Sequence, residues 1–155
     1  MNAVLISPGL LWAAMILCTG CTQGDPIQAA VLLNHADCTI AQAGMQLVSY
    51  EDVARLRGST LLSVTPAAVS EQSDLILLAI SNGQQPTPGY RFELDGAFNA
   101  DRIATLELRW LVPAENSPQP QMITHPCIVI GLDRGAFDRV RAVDERGNQL
   151  GDVAL

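Results

Sequence analysis

The stretch that decides the fold covers residues 75–94 and reads LILLAISNGQQPTPGYRFEL. Its first six residues are all apolar, a length typical of a buried strand. Asn82-Gly83 ends this run, and a loop rich in proline and glycine follows. Residues 90–94 then alternate apolar and charged side chains, which indicates a strand with one face in the core. The two runs together predict a β-hairpin that presents a rigid loop to solvent.

Shorter segments with similar patterns lie on both sides of this stretch. Residues 103–112 and 127–130 predict two further strands, and residues 149–155 predict a last edge strand. Ser49 precedes the acidic residues Glu51 and Asp52, which predicts a short capped helix. About five to seven short strands and one helix predict a mainly β fold, an antiparallel β-sandwich or small barrel with one short α-helix.

Composition excludes several classes of function. The chain has 155 residues, which favours one domain, and a net charge of −7, which argues against nucleic acid as a partner. All nine basic residues are arginines, so no lysine is present to form a Schiff base. None of the motifs G-x-S-x-G, G-x-x-x-x-G-K and H-E-x-x-H occurs. We therefore expect no catalytic residues, no cofactor and no small-molecule substrate.

The N-terminus indicates the compartment. The apolar run LLWAAMILC, residues 10–18, precedes Thr19-Gly20-Cys21, a pattern typical of a secretory signal. The ending C-T-G-C resembles a bacterial lipobox, in which cleavage occurs before a cysteine that becomes lipid-modified. This predicts a signal peptide over residues 1–20, lipidation of Cys21, a tether over residues 21–37 and a single domain over residues 38–155. The expected location is the bacterial cell envelope, anchored in the outer membrane and facing the periplasm, with plain secretion as the alternative.

Cys38 and Cys127 are the two cysteines that remain after Cys21. In an oxidising compartment such a pair predicts a disulfide. Two alternatives use the neighbouring histidines: a zinc site formed by His35, Cys38, His125 and Cys127, or a nucleophilic pair of Cys127 and His125. The H-x-C spacing is unusual for a structural zinc site, and no third group that would orient the pair is evident. We therefore predict the disulfide and no metal site.

Three blocks of sequence carry a family resemblance. LILLAISNGQQPTPGYRFEL, IATLELRWLVP and ITHPCIVIGL resemble, in order and spacing, the C-terminal domain of the protease complex subunit PrcB family. The resemblance covers roughly residues 74–150, and the matching positions are Gly83, Pro86, Thr87, Gly89, Tyr90, Pro113 and Pro126. It implies an envelope protein that assists a protease, as a partner needed for assembly or stability, and that is not itself a peptidase.

The loop within the first block is the predicted partner-binding site, with residues Gly83, Pro86, Thr87, Pro88, Gly89 and Tyr90. The two prolines fix φ and so lower the entropy lost on binding, Gly89 allows a positive φ, and Tyr90 supplies an aromatic anchor. The turn is also similar to the N-P-T-T-G-Y loop of chagasin-like inhibitors, Ig-like sandwiches that insert loops into cysteine peptidases. A secreted peptidase inhibitor is therefore the alternative function. A plainer interpretation, in which the loop only joins two strands and Tyr90 belongs to the core, stays open.

Overall fold

The computed structural model describes residues 24–38, 40–56, 75–115 and 118–155, in which nine strands and one helix form two layers. In chain order the elements are β1 (Asp25–Pro26), β2 (Ala29–His35), β3 (Ala43–Leu47), α1 (Tyr50–Leu56), β4 (Leu75–Asn82), β5 (Arg91–Ala100), β6 (Ile103–Leu111), β7 (Cys127–Asp133), β8 (Arg139–Asp144) and β9 (Gln149–Ala154). No helix in these ranges is long and apolar enough to cross a bilayer.

The strands form two sheets that face each other. One has five strands in the order β1-β5-β6-β8-β9, and the other has four in the order β2-β7-β4-β3. All neighbouring strands are antiparallel except β6 and β8, which are parallel. The described sheets do not close into a barrel, so the mainly β sandwich with one short helix predicted from the sequence is confirmed.

The main core lies between the two sheets. The four-stranded sheet contributes alternate residues of its two central strands, and the five-stranded sheet contributes alternate residues of β5, β6 and β8. The largest of these fully buried side chains are Phe92, Leu78, Ile80, Leu106, Leu108, Ile128, Ile130, Leu132 and Val140. Burial of branched aliphatic and aromatic side chains on facing sheets is the main stabilising contribution in such a sandwich.

A second, smaller core covers the outer face of the four-stranded sheet. Cys38, Leu56, Ala79, Cys127 and Val129 are its buried members. Because β4 and β7 therefore have apolar neighbours on both faces, their sequences read as unbroken apolar runs and do not alternate.

The helix α1 covers this second core and begins as predicted. Ser49 Oγ accepts a hydrogen bond from the Asp52 N–H at 3.2 Å, and the Asp52 carboxylate accepts one from the Ser49 N–H at 3.0 Å. This reciprocal pair is a capping box with aspartate in the place of glutamate. Leu56 is buried and Val53 packs against the same cluster, so these two residues form the inward face of the helix.

The predicted hairpin of residues 75–94 is wrong. The strands β4 and β5 belong to different sheets, and residues 83–90 cross from one sheet to the other. Both edges of β4 are already occupied, by β3 on one side and β7 on the other, so β5 has no edge to pair with. We call residues 83–90 the crossover loop.

The predicted tether over residues 21–37 is not borne out in its described part. Residues 29–35 are the strand β2, which pairs along its whole length with β7, and residues 25–26 are β1, which pairs with Asn99 and Phe98 at the far end of β5. A bulge between Val31 and Leu33 interrupts the alternation of β2, which hides the strand in the sequence. The predicted signal peptide and Cys21 lie outside the described residues.

Gly151 marks a point where the edges of the two sheets meet. It lies in β9, and a Cβ atom there would be 2.8 Å from the backbone nitrogen of Met45 in β3. Real Cβ atoms do not approach a backbone this closely, so any larger residue must push the two edge strands apart.

We expect Gly151→Ala to lower the free energy of unfolding by about 1–3 kcal/mol, because it overpacks the β3–β9 contact. Gly96→Ala is the matched control: its Cβ would meet only the flexible end of Glu107, at 3.4 Å. Urea unfolding should show a clear loss for Gly151→Ala and a change within about 0.5 kcal/mol for Gly96→Ala. Equal effects of the two substitutions would contradict the packing described here.

Candidate partner-binding surface

The crossover loop is tied to the end of β4 at its first residue. Gly83 is buried and has a φ of 72°, a conformation that favours glycine. Its N–H donates to Ser81 Oγ at 3.1 Å, and the same hydroxyl lies 3.2 Å from the carbonyl oxygen of Pro126. The start of the loop is therefore fixed to the residue that precedes β7.

The middle of the loop is held against the segment before β7. Gln85 and Thr124 exchange two backbone hydrogen bonds, of 2.8 and 3.0 Å. Thr124 is buried, and its hydroxyl donates to the carbonyl oxygen of Thr87 at 3.1 Å. These bonds leave Pro86 as an exposed residue between two anchored neighbours.

The loop ends on an aromatic stack. Gly89 has a φ of 99°, and a Cβ atom there would be 3.1 Å from the Pro113 ring. Tyr90 is half-buried and stacks on Trp110, with ring centroids 5.6 Å apart and an interplanar angle of 19°. The Trp110 ring in turn packs on the ring of the core residue Phe92, with the two ring centroids 4.6 Å apart. The ring of Tyr90 is thus partly packed within the domain, which agrees in part with the interpretation that Tyr90 belongs to the core.

Three strongly exposed apolar side chains flank the loop. Val112, Ile123 and Met122 have exposed fractions of 65, 57 and 55%, the highest among the large apolar residues that the structure describes. The next value, 47%, belongs to Leu47 on a distant edge strand. Clustered exposure of this kind is typical of surfaces that contact other proteins.

An open groove of about 460 Å³ lies between the crossover loop and residues 121–123. It is lined by Gln84, Gln85, Pro86, Gln121, Met122 and Ile123. None of these residues is charged, although the chain has nine basic and sixteen acidic residues. The uncharged side chains of a partner can fill such a groove without leaving a charged group buried and unpaired.

The structure thus brings the six predicted loop residues together with a neighbouring segment that the sequence analysis did not single out. We use the term loop-end surface for residues 83–90, 112–113 and 121–124. The signal for the added part was an apolar pair, Met122-Ile123, directly after the proline-rich residues 118–121.

The predicted disulfide between Cys38 and Cys127 is present. The Cα atoms are 6.0 Å apart and both cysteines are buried. The bond joins the segment after β2 to the first residue of β7, next to the base of the loop-end surface. Because both sulfur atoms are used in this bond, neither cysteine is available as a thiolate ligand or nucleophile.

The two histidines near the disulfide both contact Asp37. His125 Nδ1 lies 3.2 Å from Asp37 Oδ1, and His35 Nδ1 lies 2.8 Å from the Asp37 carbonyl oxygen. In the part of the chain that the structure describes, no three histidine, cysteine or acidic side chains are placed to hold a metal ion. The zinc alternative therefore has no set of ligands here.

A tight turn borders the loop-end surface beside Trp110. The Glu145 carboxylate accepts the Trp110 N–H at 3.4 Å. The preceding Asp144 accepts the Asn148 side-chain amide at 2.8 Å, the Asn148 N–H at 2.7 Å and the Arg146 N–H at 2.9 Å. The side-chain bond from Asn148, followed by these backbone bonds, lowers the pKa of Asp144 below its ordinary value of 3.8.

A family comparison covers the same part of the chain. Residues 76–133 match the family model described as PrcB C-terminal, which confirms the resemblance found in the sequence. The match begins in β4 and ends in β7, so it includes every residue of the loop-end surface. The family is of the protease complex subunit type and is not a catalytic family. No curated protein and no solved structure matches the chain.

We expect loss of the disulfide to lower the free energy of unfolding by about 2–5 kcal/mol, because the bond restricts a long loop in the unfolded chain. The two cysteines are 89 residues apart. The comparison is urea unfolding of wild type, with and without reductant, against the Cys38→Ala, Cys127→Ala variant. Reduced wild type should match the variant. Alkylation of the unreduced, unfolded protein that labels peptides containing Cys38 or Cys127 would contradict the assignment.

The lowered pKa of Asp144 predicts an acid-dependent loss of stability. The unfolded chain binds a proton at this group before the folded chain does, so the stabilisation is complete above about pH 4 and disappears as pH falls through the folded-state pKa. Asp144→Asn keeps an acceptor for Asn148 but does not titrate. Urea midpoints measured between about pH 5 and pH 2.5 should fall more steeply for wild type than for this variant. Parallel profiles would contradict the prediction.

Proposed function

We propose that this chain is a non-enzymatic lipoprotein of the bacterial envelope that binds a protein partner through the loop-end surface and assists the assembly or stability of a protease complex. The partner is a protease or a subunit of its complex. The observation that carries the proposal is the coincidence of an anchored loop, three exposed apolar side chains and an uncharged groove at one end of the sandwich. The family match over residues 76–133 supports a protease complex as the partner.

The anchoring of the loop supports binding over a purely connecting role. A connector between two sheets needs only to span the distance, whereas this loop is bonded at Gly83, Gln85 and Thr87 and still leaves Pro86 exposed. Because the loop is already ordered, a partner that contacts it loses little conformational entropy in the complex. The exposed apolar side chains beside it supply contact area of the kind that drives association.

The apolar run of residues 10–18 and the C-T-G-C ending support a location at a membrane. Lipidation at Cys21 would hold the domain by a short segment, since Asp25, four residues later, already pairs with Asn99 of β5. Such an anchor concentrates the domain at the bilayer and leaves its surface free for a second envelope protein.

The alternative, a peptidase inhibitor, rests on the similarity of the P-T-P-G-Y turn to the loop of chagasin-like proteins. An inhibitory loop of that type enters a cleft, which requires it to project from the domain. Here the backbone of Gln85 is paired with Thr124 and the ring of Tyr90 is stacked on Trp110. A broad contact over the loop-end surface therefore agrees better with the geometry.

The proposal predicts that a protease component is captured with the full chain from a solubilised envelope fraction. The Pro86→Ala, Tyr90→Ala variant should recover at least about ten times less of it by quantitative mass spectrometry. Val31→Ala is the control, because Val31 is an exposed apolar residue on another strand edge. The unfolding midpoint of each variant is measured alongside, since Tyr90 also packs on Trp110.

Two outcomes would contradict the proposal. Equal recovery of the protease component by wild type and the loop variant, with both folded, would remove the loop-end surface from the interaction. Inhibition of papain at nanomolar concentrations of the chain would replace the assisting role by the inhibitory one.

A further inference from the structure

Met122 is the most exposed sulfur-containing residue in the described part of the protein. That part contains two methionines, Met45 and Met122, and two cysteines. Met122 has an exposed fraction of 55%, whereas Met45 is half-buried and packs against the main core. Cys38 and Cys127 are buried and joined in the disulfide. Among these four residues, Met122 is therefore the one that combines a reduced sulfur atom with free access to solvent.

Met122 also occupies a position where its polarity matters to a partner. It lines the open groove beside the crossover loop, between Pro86 and Ile123 on one side and three glutamines on the other. None of the other lining residues contains sulfur, so oxidation of a thioether can change this wall of the groove at Met122 only.

We infer that Met122 is an oxidation site, at which a peroxide converts the thioether to the sulfoxide and so weakens the binding of a partner at the loop-end surface. The inference rests on the proposed function, because it specifies how that binding is regulated. The modification is reversible, since methionine sulfoxide reductases return the sulfoxide to the thioether.

The reaction balances with the peroxide alone. A lone pair of the Met122 sulfur attacks one oxygen of hydrogen peroxide, so that an S–O bond forms and the O–O bond breaks. The hydroxide that leaves takes up the proton of the transferred oxygen and becomes water. The sulfur loses two electrons and the peroxide gains them, and the products are the sulfoxide and water.

The sulfoxide changes which surfaces the groove can bind. In the free chain the new oxygen lies in water, because Met122 is exposed, and the fold is not affected. An apolar partner that covers the groove removes this water and leaves the oxygen without a hydrogen bond. The unoxidised side chain carries no such penalty, and its flexibility lets it fit different apolar shapes. Oxidation therefore weakens the complex and leaves the domain folded.

The other sulfur atoms of the described residues cannot take this role. The bond between Cys38 and Cys127 is already oxidised, so it responds to reductants and offers a peroxide no thiol. A sulfoxide at Met45 would be placed against the core and beside Gly151, where the sheet edges meet. Its effect would be on the stability of the fold and not on the groove.

The first test measures where and how fast the full chain is oxidised. Hydrogen peroxide is added, removed with catalase at intervals, and the sulfoxides are located by tandem mass spectrometry. Met122 should be oxidised at least about ten times faster than Met45. When Met122 is oxidised, retention in hydrophobic interaction chromatography should fall, because the groove becomes more polar. The urea unfolding midpoint should stay unchanged.

The second test measures binding with a matched pair of variants, Met122→Leu and Met45→Leu, neither of which can be oxidised at the substituted position. Each protein is compared only with its own untreated sample. Peroxide is removed before the solubilised envelope fraction is added, so the partner is not oxidised. Treatment should lower the recovery of the protease component at least about fivefold for wild type and for Met45→Leu. It should not change the recovery by Met122→Leu, whatever the untreated level of that variant.

Four results would overturn the inference: equal oxidation rates of Met122 and Met45, unchanged retention of oxidised wild type, a lowered unfolding midpoint when only Met122 is oxidised, or the same effect of treatment on recovery by Met122→Leu and by Met45→Leu. Failure of the proposed function is a different result. If untreated wild type captures no protease component, the proposed function is wrong. Selective oxidation of Met122 with reduced retention would then still support the oxidation site.

Discussion

The antiparallel pairing of β4 with β7 is the interaction on which the rest of the structure depends. Seven residue pairs, from Leu75 and Asp133 to Ser81 and Cys127, join these strands at the centre of the four-stranded sheet. Their alternate side chains fill the core between the sheets on one face and the smaller core under α1 on the other. The same register also places Ser81 beside Pro126, so the crossover loop leaves β4 at the point where the segment of residues 121–126 enters β7. The pairing of β4 with β7 thus determines both the packing of the core and the position of the loop-end surface.

The sequence predicted the fold class and most elements because their local patterns are strong. The unbroken apolar runs of β4 and β7, the alternation of β6 and the capping residues of α1 all agree with the structure. The hairpin and the tether were wrong for non-local reasons. Whether two consecutive strands pair depends on whether the edge of the first is free, and β4 has β3 and β7 on its edges. The strand β2 was missed because its bulge breaks the period of two, and it is stabilised by pairing with residues about a hundred positions away.

The candidate site was only partly predicted, because the rest of it also depends on non-local structure. Turn chemistry at Pro86, Pro88 and Gly89 marked the loop, and the cysteine count indicated the bond that lies beside it. The contribution of Val112, Met122 and Ile123 was not predicted, because whether an apolar residue outside a strand is exposed depends on the tertiary structure around it. The role of Tyr90 was also left open by the sequence, and its stacking on Trp110 shows that the ring is shared between the interior and the surface.

The pairing of β1 with β5 places the N-terminal end of the described domain and the loop-end surface at opposite ends of β5. Asp25 lies opposite Asn99, near the last residue of β5, whereas the loop-end surface lies before Arg91, its first residue. Eight residue steps of extended chain separate Asn99 from Arg91, a distance of about 26 Å. Under the proposed function, the lipid anchor would therefore lie at the end of β5 opposite the groove, and a partner would meet the groove about one strand length away from the bilayer.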